Sequence, residues 1–274
     1  MIYAISNVLT KFFDVLVLPF AGNRTAALWG ISLLTGVALI FLFKATSNQD
    51  RIRATRDAFK ARILEMRIYQ DDIVLIFKAL GAALWTNVSY LRASLKPIVV
   101  LLIVALPVFI QLDERYGRAH LHEDDRTLVT VTLKDGIDPM TTPVTVDGGT
   151  SLALDAPAVR VPSDREINWR VRVTAPGVHP FTVKVYDTVY QFPVVARESN
   201  GVIGYTRSAN SVADPFLHPG LPTIPKNSGV QSVHLEYRPA SYSLVFWDAP
   251  WWVVFLVLVS VGALIPKFLF GIEV

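Results

Sequence analysis

KATSNQDRIRATRDAFKARILEMR, residues 44–67, opens the one long charged helical segment of the chain, and that segment runs on to Lys96. Lys44 to Lys96 holds ten Lys/Arg against five Asp/Glu, a surplus of +5. Apolar runs of membrane-spanning length flank it on both sides. Within it, Ile52, Arg56, Phe59, Ile63, Met66, Gln70, Ile73, Phe77, Leu80 and Leu84 alternate spacings of four and three, the pattern of a coiled-coil seam. One straight helix of this length would carry the chain away from the membrane that the next apolar run must enter. The segment 45–95 is therefore expected to be a helical hairpin. Its arms would be 47–69 and 73–95, with the turn best placed at Gln70-Asp71-Asp72, where either Asp can cap the second arm, and Gly81 as a second candidate.

The runs on either side set the rest. Ala26 to Phe43 (AALWGISLLTGVALIFLF) is free of charge. At about 1.5 Å per residue it crosses most of a hydrocarbon layer of about 30 Å. It is read as the first transmembrane helix, 26–44. On it Ser32, Thr35 and Gly36 share a face. They form either a close helix–helix contact through small residues or the polar wall of a groove. PIVVLLIVALPVFIQL is the second span, 96–112, extended backwards through Val88–Leu95, with Pro97 in its first turn and Gln111 near the far interface. The third, 249–271, starts behind three Trp (Trp247, Trp251, Trp252) and ends near Lys267.

Residues 1–22 read differently. Ser6, Asn7, Thr10, Lys11 and Asp14 make a narrow polar stripe, and a central Lys and Asp are costly in hydrocarbon. An amphipathic helix lying in the interface is expected, ending near Pro19; a true span is the alternative. The run lacks a basic region before it and a small-residue cleavage site after it, so no cleavable signal peptide is expected.

Between Leu112 and Trp251 the chain alternates polar and apolar residues in short runs, such as TLVTVTL (127–133) and INWRVRV (167–173). Lys134-Asp135-Gly136, Asp147-Gly148-Gly149 and Ala175-Pro176-Gly177 punctuate them. The expectation for 113–248 is an all-β, Ig-like sandwich between spans two and three. Residues 199–231 would be a long loop. The fold class is thus an α-helical membrane protein of three transmembrane helices, with a coiled-coil hairpin and an inserted β domain.

Charge orients this plan. The surplus of basic residues places the hairpin in the cytoplasm. The β region, thirteen basic against sixteen acidic from Asp113 to Asp248, then lies outside, with the N-terminus outside and the C-terminus inside. The expected location is an inner or plasma membrane, crossed several times.

The absence of cysteine excludes disulfides, thiolate metal sites and a Cys nucleophile. No phosphate loop, Ser/His/Asp set or HExxH motif occurs, and neither an enzyme nor a cofactor is expected. His120 and His122, followed by Glu123, Asp124 and Asp125, would face one way on an extended chain. That gives either a metal site or a solvated linker leaving the membrane.

FKATSNQDRIRATRDAFKARILEMR, LKPIVVLLIVALPVFIQL and WWVVFLVLVSVGALIPKF together resemble the minimal three-span plan of the YidC/Oxa/Alb membrane-insertase superfamily. They are similar to its archaeal members and its relatives in the ER membrane protein complex. The resemblance implies a groove open to cytoplasm and lipid that takes a client's hydrophobic segment. By position, Ser32, Thr35 and Gln111 would wet that groove, and Lys44, Arg51 and Arg53 would line its mouth. Implied partners are lipids, membrane-protein clients or the ribosome, and proteins on both faces; DNA is not among them. A second reading is a non-catalytic scaffold subunit tethering the β domain to cytoplasmic partners. The uncharged first span and the large β insert favour it.

Overall fold

The computed structural model describes residues 2–20, 22–68, 73–186, 188–209, 214–219, 224–225, 228–244 and 246–272. The apolar runs become helices and the alternating runs become strands. In chain order come α1 (Ile2–Val17), a 3-10 turn (Leu18–Phe20), α2 (Arg24–Thr46), α3 (Gln49–Ile68) and α4 (Ile73–Tyr116). Then follow β1 (Arg126–Leu133), β2 (Val144–Asp147), β3 (Leu152–Leu154), β4 (Val159–Val161), β5 (Glu166–Val173), β6 (Gly177–Val185), β7 (Thr188–Ala196) and β8 (Thr206–Ser208). The chain closes with α5 (Asp214–Leu217), β9 (Val230–Leu235), β10 (Ser241–Leu244), β11 (Trp247–Pro250) and α6 (Trp251–Phe270). Among the described residues, three helices have the length and apolarity to cross a membrane: Arg24–Thr46, Leu80–Tyr116 within α4, and Trp251–Phe270.

The chain divides into two compact units, Met1–Ile31 with Val108–Val254, and Ser32–Pro107 with Phe255–Val274. In the first, β3-β5-β1-β9-β8 form one antiparallel sheet, with β4 also paired to β5, and β2-β6-β7 form another. The period-2 alternation does the work that the sequence promises. β1 turns Thr127, Val129, Val131 and Leu133 inward, and β5 turns Ile167, Trp169, Val171 and Val173 inward. Phe181, Val183, Val185, Phe192 and Val194 of the second sheet join the same buried cluster. Register is pinned from Val129↔Trp169 on one side of β1 and Val131↔Val233 on the other. The glycine turns fall where expected: Gly136 and Gly149 have φ of 84° and 61°, which a side chain would strain. The stretch 199–231 is less of a loop than expected, since it contributes β8 and α5.

In the second unit α2 and α6 meet through glycine. A Cβ on Gly36 would lie 2.2 Å from the Val259 carbonyl oxygen, and one on Gly262 would lie 2.4 Å from that of Leu33. Such backbone approach needs small residues on both helices. Ile40, Phe43, Ile52 and Ile272 form the local core, with Tyr90 and Leu101 against it.

Three expectations are corrected. The second arm of the hairpin and the second span are not separate elements at 95/96 but one helix of 44 residues, about 66 Å long. Pro97 lies deep inside it rather than in a first turn, and Pro107 follows. The helix also continues past residue 112, so Asp113 to Tyr116 are its last turn and not the start of the β domain. Along the expected coiled-coil seam only Ile52 is buried among the positions described; Ile63, Phe77, Leu80 and Leu84 stay exposed. The heptad spacing marks an apolar stripe, but Ile52 clusters with Ile40, Phe43 and Ile272, and Tyr90, which is not a seam position, packs against that cluster. The turn expected at Gln70-Asp71-Asp72 lies outside the described residues, and Gly81, the other candidate, lies within α4 and makes no turn.

Candidate functional site

The last turns of α4 carry Gln111, Asp113, Glu114, Arg115 and Tyr116, a polar run at the end of a hydrophobic helix. In the first unit these side chains point into protein. Gln111, Glu114, Arg115 and Tyr116 are each at most 1% exposed. Arg115 is the centre. Its Nη1 donates to the Asn200 carbonyl (2.9 Å), and its Nη2 to the Thr10 carbonyl (3.1 Å) and the Asp14 carboxylate (2.8 Å). Gln111 donates to the Thr10 hydroxyl at 2.9 Å. A buried guanidinium needs several acceptors to offset lost hydration, and the C-terminal end of α1 supplies two of the three.

This revises the reading of α1. The helix and its stop near Pro19 are as expected, but its polar stripe is partly consumed by protein: Ser6 is buried, and Thr10 and Asp14 bind α4. The large apolar side chains left exposed are Val8, Phe12, Val15 and Leu18.

Arg24, at the start of α2, caps the end of α4. Its Nη2 donates to the carbonyls of Arg115 (2.7 Å) and Arg118 (2.9 Å), which the helix itself leaves without donors. The Tyr242 hydroxyl donates to the Tyr116 carbonyl at 3.0 Å. The Arg24 guanidinium lies 5.8 and 5.6 Å from the rings of Tyr116 and Tyr242.

A second branch runs into the β region. Glu114 Oε1 meets His218 Nδ1 at 2.7 Å. The Tyr205 ring stands edge-on between His218 and His234, and Arg118 covers its face at 4.5 Å. The bond to Glu114 holds the His218 imidazole above its ordinary pKa, against its partial burial. Burial pushes the Tyr205 phenol up to about 12 and pulls His234 down.

His120 and His122 do not face the same way. His120 is 5% exposed, with burial first and then Arg24 and His122 pulling its pKa down to about 4. The side chain of His122 is 72% exposed and lies beside Asp125. The chain leaves the extended state here, with Asp124 at a φ of 68°. Among the described residues no cluster of three or more His, Asp or Glu is placed to hold a metal.

The remaining sequence candidates are divided. Gln111 belongs to the first unit. Ser32, Thr35, Lys44, Arg51 and Arg53 belong to the second. Ser32 is fully buried, Thr35 half-buried, and Lys44, Arg51 and Arg53 exposed. Asn48 caps α3 through the Arg51 backbone N–H at 2.9 Å. The residues that sequence reasoning missed are Arg24, Glu114, Arg115 and His218. A signal was present: three consecutive charges, Asp113 to Arg115, end an apolar run, and Asp14 sits in another.

The knot brings together acids, bases and phenols, but each main contact is spent on joining α1, α2, α4 and the 199–218 stretch. Two hydroxyls lie beside histidines in its branches, Thr206 Oγ1 at 2.8 Å from His234 Nδ1 and Ser199 Oγ at 3.4 Å from His120 Nε2. No family model and no curated protein matches the chain.

Proposed function

We propose that this chain is a non-catalytic scaffold subunit of a membrane complex, in which α4 offers its apolar length to a partner helix within the bilayer. The observation that carries the reading is the difference in cover among the three candidate spans. The apolar window of α2 is 39% buried and that of α6 28%, but that of α4 only 6%. Leu102, Ile103 and Leu106 are 59%, 67% and 53% exposed. The Arg115 knot supports the same reading, since it ties the end of this helix firmly to the β region. In the proposal the basic α3 faces the cytoplasm and the β region lies outside, following the charge bias. The β region is proposed to be a sandwich of broad Ig-like class; its two larger sheets contribute to one core cluster, and β10 pairs with β11 apart from them.

The insertase reading is the second, and one observation favours it: exposed Lys44, Arg51 and Arg53 accompany the bare apolar face of α4. In that case the face would receive clients in passing. Its expected groove residues support it less, because Ser32 is buried and Gln111 is bound to Thr10.

A photocrosslinker placed at Ile103 in living cells separates the two. A scaffold gives one adduct of constant mass in stoichiometric yield. Nascent chains and ribosomes in the adducts would replace the scaffold with the insertase. Lipid adducts alone would sink both.

A further inference from the structure

A second buried guanidinium lies in the β region, away from the Arg115 knot. Arg207, on β8, is 8% exposed. Its Nη1 donates to the Gln191 carbonyl at 2.9 Å, and its guanidinium carbon lies 4.6 Å from the Phe192 ring centre. Among the described residues, Nε has no acceptor and no carboxylate comes within ion-pair distance. Burial alone pulls its pKa down to about 10. Arg115, whose Nε also has no partner among the described residues, still has three acceptors on its other two nitrogens, the Asp14 carboxylate among them. Arg207 has one. A buried cation without a counter-charge is strongly disfavoured, so its retention points to an anion that completes it.

The space for that anion is present. A cavity of about 370 Å³ is lined by Thr188 to Phe192 of β7, by Arg207, and by Ile224 and Pro225. The Tyr190 hydroxyl, in a residue 7% exposed, is also without a partner among the described residues. Two unpaired donors thus share one otherwise largely apolar cavity. β7 and β8, which supply them, are the outer strands of their sheets, and Val189 at the rim is exposed.

We propose that this cavity binds the carboxylate of a ligand with an apolar body. One negative charge balances the one guanidinium. Two carboxylate oxygens match the edge left open once Nη1 is taken by Gln191, namely Nε with Nη2, and the phenol donates to one of them. A phosphate dianion would bring more charge than the site neutralises. The apolar walls and the volume suit a small hydrophobic group. The carboxylate can come from a free organic acid or from the C-terminus of a peptide laid along β7.

The test uses the full chain in lipid nanodiscs, with 4-phenylbutanoate, its amide, inorganic phosphate, and a tetrapeptide Ala-Ala-Val-Phe as free acid and as C-terminal amide. Calorimetry and the unfolding temperature are read. Binding by an acid and not by its amide supports the proposal, and the tighter of the two acids identifies the source. Arg207→Met should weaken that acid by about tenfold or more, and Tyr190→Phe by several-fold. Tyr190→Phe removes a single oxygen and keeps the test valid should Arg207→Met fail to fold. Asp187, which precedes the cavity residue Thr188 in sequence, is changed to Asn as a separate arm; unchanged affinity supports an outside ligand. Equal binding of acids and amides, equal binding of phosphate, full affinity in both variants, or binding that emerges only in Asp187→Asn would each overturn the proposal.

Discussion

Residues 80–107 of α4 and its final turns, 108–116, belong to one helix but treat their side chains in opposite ways. Along the first stretch Val88, Leu91, Leu95, Ile98, Val99, Leu102 and Ile103 are all exposed by 43% or more. At the end Gln111, Glu114 and Arg115 are buried. A water-soluble protein would show the reverse. The inversion fits two surroundings, hydrocarbon along a candidate span and protein at its end. Where the helix meets hydrocarbon, apolar groups can be left bare at no cost. Where it meets the β region and α1, polar groups can be buried because protein acceptors replace water.

The comparison breaks most sharply at Arg115. Arg115→Met leaves the Asn200 and Thr10 carbonyls without their donor and should destabilise the full chain by about 3–5 kcal/mol. Denaturation in detergent would measure it, and a near-neutral result would mean that the knot is incidental. Leucine truncation tests the same contrast with apolar groups. Leu112→Ala, at a fully buried position, should cost about 2–5 kcal/mol. Ile103→Ala, in the bare stretch, should cost under about 0.5 kcal/mol in the purified chain. Similar losses at both positions would show that residues 80–107 are covered.

Between these lies the α2–α6 contact. Gly36→Ala drives a methyl against the Val259 carbonyl and should cost about 1–3 kcal/mol, read as a lower unfolding temperature. Tolerance there would loosen the distinction between closely packed α2 and bare α4. The smallest effect concerns pH. His218 is charged more readily when folded, so its contribution is complete below about 6.5 and fades as pH rises through its raised folded value. The groups acting on it are Glu114, Asp214 and Asp113. His120, whose folded value is lowered, acts oppositely and opposes folding as pH falls from about 6.5 towards 4. His218→Gln should flatten the alkaline side of the stability profile, followed by thermal unfolding from pH 5 to 9. An unchanged alkaline slope would remove His218 from the knot's energetics.

Much of the fold was legible because each element carries its own period. Val129, Val131 and Leu133 alternate with threonine, and Ala26 to Phe43 has no charge to interrupt it. The glycine turns were legible because Gly136 and Gly149 need a backbone that other residues avoid. The length of α4 was not, because Pro97 reads as a helix start when its neighbours in space are unknown. The polar stripe of α1 was visible, and its partner was not. Thr10 and Asp14 lie about a hundred positions from Gln111 and Arg115, and nothing local links them. The six groove candidates were chosen by position in a resembling plan, and burial sorted them differently, with Ser32 and Gln111 inside and Lys44, Arg51 and Arg53 outside.

The sequence alone determined which stretches suit lipid, which alternate as strands and where charge collects, since these depend on the order of side chains along a few turns or one strand. Tertiary structure decided which charges are buried, which helix stays bare and which guanidinium has no carboxylate partner among the described residues. Those properties depend on what lies opposite a residue, and for Arg115 and Arg207 the opposite residue comes from a distant or an outer strand or helix.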